Sequence, residues 1–174
     1  MTRRLLVFNE PDRFLAGTVG EPGNRTFYLQ ARQGGAMATV ALEKTQVAAL
    51  AERLEDLLDA VEAAPSTTDE LAGLDEPVVE LFRVGAMALA WDATSKTVVI
   101  EAQTPSEDGE YAEVPDDAPD GPDLLRVRID PITARNFVRN AGALLAAGRL
   151  PCPLCGQPLD PQGHFCARDT ARLN

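Results

Sequence analysis

Two stretches of this chain, VALEKTQVAALAERLEDLL (40–58) and VRIDPITARNFVRNAGALL (127–145), align without a gap at an offset of 87 residues. Each begins with an apolar alternation and passes into a 3.6-residue period, so each predicts a strand running directly into an amphipathic helix. In the first, Val47, Leu50, Ala51, Leu54, Leu57, Leu58 and Val61 fall at i, i+3, i+4 and i+7 steps. Glu52, Glu55, Asp56, Asp59 and Glu62 fall on the opposite side, as a solvated face would. In the second, Asp130 suits the N-cap, Pro131 the first helical position and Gly148 the end. Two such junctions commit most of the chain to an α+β fold.

The runs before each junction complete a strand-strand-strand-helix unit. RFLAGTV (13–19), NRTFYLQARQ (24–33) and AMATVALE (36–43) read as strands, with Gly34 and Gly35 as a tight hairpin. VVELFRVGAMALAWD (78–92) and KTVVIEAQ (96–103) repeat the pattern, and LLRVRID (124–130) alternates one buried with one wet face. The expected organisation is a first βββα half over 1–64, a linker over 65–77, a second βββα half over 78–150 and a tail over 151–174. The matched junctions raise an internal duplication. The alternative is that any strand-to-helix junction aligns this way by hydrophobic pattern alone.

Between the last two strands lies TPSEDGEYAEVPDDAPDGPD (104–123), with eight acidic residues, four prolines and no Lys or Arg. On composition it reads as a disordered insertion, because it has little apolar surface to offset its ordering entropy. A lure for a basic partner is the sharper reading. Charge is divided unevenly. Residues 1–123 carry 9 Lys+Arg against 24 Asp+Glu, a balance of −15, and residues 124–174 carry 7 against 3, a balance of +4. Such a body repels nucleic acid and anionic membranes. No run reaches the roughly 18 apolar residues of a membrane span, and LLVF near the start is too short for a signal-peptide core, so a cytoplasmic protein is expected.

The tail, CPLCGQPLDPQGHFC (152–166), holds all three cysteines and the only histidine. Cys152, Cys155, His164 and Cys166 follow the spacing C-x2-C-x8-H-x-C, a knuckle and a short return that together suit tetrahedral Zn²⁺ in a zinc ribbon-like site. A disulfide is disfavoured by the odd count. A redox C-x-x-C normally opens a helix after a strand, which is not the context here. Iron and coincidental thiols are the remaining alternatives. Four protein ligands leave no open position, and three thiolates make a poor Lewis acid, so the expected role is structural.

The chain resembles an uncharacterised actinobacterial family of similar length, a domain of unknown function. The matching stretches are FNEPDRFLAGTVGEPGNRTFYLQA, VALEKTQVAALAERL and CPLCGQPLDPQGHFC, of which the tail is the most specific. The resemblance implies a zinc-binding tail of the CPxCG…GHxC type and supplies no activity. Beyond Cys166 the chain departs from it: CARDTARLN stands in place of a proline and an Asn-Gly ending. No nucleophile elbow, P-loop or dinucleotide fingerprint occurs, so no enzyme is expected. The reading that fits best is a non-catalytic adaptor or regulatory protein that binds a protein partner, with Arg135, Asn136, Arg139 and Asn140 on the second helix as candidate surface. The alternative is nucleic-acid binding through the zinc tail and its flanking arginines Arg149, Arg168 and Arg172.

Overall fold

The structure is a computed structural model and describes residues 2–66, 68, 70–147, 151–157, 159 and 166. In chain order its elements are β1 (Leu5–Phe8), β2 (Arg13–Glu21), β3 (Asn24–Gln33), β4 (Ala36–Leu42), α1 (Lys44–Ala60), β5 (Glu80–Arg83), β6 (Ala86–Asp92), β7 (Thr97–Gln103), β8 (Leu124–Ile129) and α2 (Pro131–Ala146). The fold is α+β, as the alternating patterns predict.

Two four-stranded sheets share one plan. β2-β3-β4 and β6-β7-β8 are antiparallel meanders, and each gains a fourth, parallel strand beside its last member. The fourth strand comes from across the chain. β1, before the first meander, pairs with β8 of the second (Leu5 opposite Leu124, Phe8 opposite Val127). β5, before the second meander, pairs with β4 of the first. Each half therefore lends its leading strand to the other half's sheet.

The run 78–92, expected as one strand, is two. Val84 donates to Ala41 of β4, and the next residue, Gly85, donates to Gln103 of β7, so the chain changes sheet between adjacent residues. β1 is an addition to the expected three-strand units. The hairpin at Gly34-Gly35 forms as predicted, with Gln33 opposite Ala36 and Gly34 at φ +58°, a conformation that favours glycine. α1 starts where Glu43 N–H is accepted by Gln46 Oε1. α2 starts where Asp130 Oδ1 accepts from Thr133 N–H, ahead of Pro131.

Both helices and the inner faces of both sheets enclose one core. Val47, Leu50, Leu54 and Leu58 of α1 are buried there with Ala134, Phe137 and Ala141 of α2. Phe137 stacks on Phe14 with centroids 4.8 Å apart. Burying each of the large side chains stabilises the fold by about 1.5–3 kcal/mol.

The outer faces are covered by irregular chain, anchored by two buried glutamines in the same manner. On the first sheet Gln30 accepts from Asp75 N–H (2.7 Å) and donates to Asp75 O (2.9 Å), while Arg13 and Arg32 bind the Asp75 carboxylate. On the second, Gln103 accepts from Ala112 N–H (3.0 Å) and donates to Ala112 O (2.7 Å). The acidic segment 104–123, expected to be disordered, has no helix or strand, yet it is tied down at several further points. Tyr111 donates to Glu101, Arg126 forms a fork on Asp116 (2.8 and 2.9 Å), and Arg3 reaches the carbonyls of Pro115 and Pro122. No helix among the described residues is long and apolar enough to cross a membrane.

Candidate metal centre

The C-x2-C element forms a closed turn. Cys152 N–H donates to Gln157 O and Gly156 N–H returns to Cys152 O, both at 2.8 Å. Gly156 has φ +74°, which the glycine of CPLCG accepts without strain. This turn brings Cys155 beside Cys152, and Cys166 arrives from the far end of the motif. The three Sγ atoms lie within 4.8 Å of one another, with Cys152 and Cys166 at 3.8 Å. A tetrahedral ion with Zn–S bonds of about 2.3 Å holds its thiolates about 3.8 Å apart. The spacing therefore fits a tetrahedral thiolate site.

The electrostatics agree with ligation. The backbone N–H of Cys155, then that of Leu154, point at Cys152 Sγ, with the thiols of Cys155 and Cys166 adjacent, and they bring the Cys152 pKa down to about 6. Metals bind the thiolate, so a thiol already ionised near neutral pH loses little to proton competition. Cys152 is buried, and Cys155 and Cys166 are half-buried. The fourth expected ligand, His164, lies outside the described residues, as do Arg149, Arg168 and Arg172.

The other sequence-predicted residues occupy one side of α2, but not as an open basic surface. Arg135 is turned toward α1, donating to Asp59 Oδ1 and to Ala63 O, both at 2.9 Å. Asn136 accepts from Ser66 Oγ at 2.6 Å. Asn140 lines a cavity of about 280 Å³ walled by Leu71–Leu74 and β2. Arg139 also has a partner. All four are half-buried, and the chain between α1 and β5 meets Arg135 at Ala63, Asn136 at Ser66 and Asn140 along Leu71–Leu74. The remaining described arginines of the C-terminal third are engaged as well: Arg126 with Glu101 and Asp116, Arg128 with Asp92.

A second concave feature escaped the sequence reading. A groove of about 250 Å³ runs between α1 and β6, lined among others by Thr45, Ala49, Arg53, Met87 and Leu89. The uncharged run AMALA at the start of β6 carries a signal, but only the topology shows that this strand is an edge.

No curated protein and no solved structure shows significant similarity to the chain. The family model described as Protein of unknown function (DUF3090) matches residues 6–166, from β1 through the last cysteine, and the chain belongs to that family.

Proposed function

We propose that this is a non-catalytic zinc protein that works by binding a protein partner, with Zn²⁺ held structurally by Cys152, Cys155, Cys166 and His164. The observation that carries the metal reading is the approach of the three thiols, with the 3.8 Å Cys152–Cys166 separation of a tetrahedral edge. His164 enters on its spacing in the sequence. A site closed by four protein ligands supplies folding energy to its own segment and presents that segment's surface. The arginine ion pairs weigh against nucleic-acid binding, since a guanidinium already bound to a carboxylate must give it up before it can neutralise a phosphate. The shared plan of the two sheets, with Leu42 and Ile129 each leading into its helix, supports reading the halves as a duplicated unit.

Metal analysis of protein purified with its thiols reduced tests the reading. One zinc per chain is expected, falling well below one in Cys155→Ser. The far-UV circular dichroism of that variant should stay close to the parent, because the core runs from Phe8 to Ala141 and includes none of the cysteines. A parent protein with far less than one equivalent of zinc, or a Cys155→Ser protein that is globally unfolded, refutes it.

A further inference from the structure

The two sheets share a plan, but their first meander strands have different surroundings. β2 and β6 are both sheet edges, each with a helix packed nearby. Phe14, Leu15, Ala16 and Gly17 of β2 are all buried. The chain's own linker covers that edge: Ser66 bonds α2, Leu71–Leu74 wall the cavity against α2 and β2, and Arg13 grips Asp75. Leu74 sits where a side chain at Gly17 would be, so only glycine admits it. Among the described residues β6 has no such cover. No residue of AMALAWD is buried, and no strand pairs with its outer edge among the described residues.

An edge strand with free N–H and C=O groups is a template for another chain unless charge, proline, a bulge or brevity blunts it. β1 and β5 have four residues each, and β5 carries Glu80 and Arg83. β6 is seven residues long and has no charge before Asp92, no proline and an unbroken register with β7. Beside it lies the groove against α1, with Met87 and Leu89 half-buried on the strand side and Ala49 exposed on the helix side. This combination suits strand addition, in which backbone bonds give affinity and alternate side chains enter a groove.

We propose that the free edge of β6 and the α1 groove bind an extended segment of a partner protein in which apolar residues alternate with Lys or Arg. The β2 side shows what fits such a place: an irregular, leucine-bearing stretch tied down by ion pairs. Charge sets the sign. Arg53 is the only cation among the described lining residues, and it stands between Glu52 and Asp56, both exposed and one turn or less away on α1. Behind them residues 1–123 carry −15. A second copy would bring the same net −11 and is disfavoured on that account. The proposal rests on the protein-binding part of the functional reading and is independent of the zinc.

The test uses the full chain with a blocked ten-residue peptide alternating Lys with Val or Leu, and its counterpart with Glu for Lys, at about 0.15 M salt. The expected result is saturable binding of the Lys peptide, with amide NMR shifts confined to residues 86–92 and 45–53. Ala49→Trp, which plugs the groove from an exposed position, should weaken it at least tenfold, as should the pair Glu52→Lys and Asp56→Lys. Glu55→Lys, on the far side of α1, should leave it unchanged. No binding by a normally melting parent, equal binding of both peptides, or indifference to Ala49→Trp overturns the proposal. So does a concentration-dependent dimer that Ala49→Trp abolishes, which would give the groove to a second copy. Zinc analysis on the same samples separates the readings: one zinc without peptide binding sinks this inference alone, and peptide binding without zinc sinks the metal reading alone.

Discussion

Gln103→Leu should release the acidic segment from the second sheet without unfolding the protein. Gln103 is almost fully buried, and its amide makes both of its bonds to one residue, Ala112. Each such bond contributes about 1 kcal/mol net. If the segment stayed docked over a leucine, Ala112 N–H and O would be buried without partners, at about 1–3 kcal/mol each. Local opening at Ala112 is cheaper, because water then satisfies both groups while the bonds to Asp116, Pro115 and Pro122 persist. The loss should therefore settle near 2 kcal/mol, a roughly 30-fold rise in the open population of the segment. Hydrogen exchange at Ala112 and limited proteolysis within 104–123 would read this directly. Tyr111 supplies an independent signal. Burial first, then its bond to Glu101, raise its phenol pKa to about 12, and release should return it toward the ordinary value near 10. Gln103→Glu keeps an acceptor for Ala112 N–H but buries a carboxylate oxygen against Ala112 O, so an effect at least as large is expected. Unchanged exchange and cleavage in Gln103→Leu, or a loss of global melting with no local opening, would refute the reasoning.

Phe137→Ala should cost about 3–5 kcal/mol, since Phe137 is fully buried and stacked on Phe14, and should lower the melting temperature by roughly 6–20 °C. A shift under about 3 °C would show that this contact is not central. The docked acidic segment should open at both ends of the pH scale. Asp116 is held below its ordinary pKa by its bond to Arg126, so its contribution is present above about pH 4 and is lost as pH falls through the depressed value. Tyr111 is raised, so its contribution is intact below about pH 10 and is lost as pH climbs through about 12. Proteolysis within 104–123 by an acid-active and an alkali-active protease checks each limb, and a rate flat across either range counts against it.

The parts of the fold that are local in sequence were legible, and the parts that depend on distant partners were not. Both helices showed through their 3.6-residue period, and Asp130-Pro131 marked the start of the second to the residue. The CPLCG turn was legible because its geometry is made by its own proline and glycine. β1 was missed because LLVF has no alternation and its partner, Leu124–Val127, is 119 residues away. Residues 78–92 read as one β-rich run, and nothing in that run says that Val84 pairs with β4 and Gly85 with β7. The contacts of the acidic segment were hidden for a related reason. Composition counts apolar surface, whereas this segment is held by Gln103, Arg3 and Arg126, which sit elsewhere in the chain. The contacts of Arg135, Asn136 and Asn140 were hidden for the same cause: they come from the chain between α1 and β5.

The exchange of leading strands bears on where function can reside. Because β1 completes the second sheet and β5 the first, neither half closes its own sheet, and the common core makes the body one cooperative unit. Such a body has little freedom to vary, since a change at either junction is felt in both sheets. The segments outside the shared plan are less constrained: the linker at 61–79, the acidic cover at 104–123 and the cysteine tail. Each differs from anything in the opposite half. The linker covers the β2 edge, and no described strand pairs with the outer edge of β6. The acidic cover carries a half-buried tyrosine that bonds Glu101, and its Asp116 engages Arg126 of β8. The tail gathers three thiols at metal-binding distance. A body whose two sheets share a strand order, with no described strand paired to the outer edge of β6 and with three cysteines gathered in the tail, has two separate places to probe. Variants of the groove and of the cysteines should therefore have separable effects.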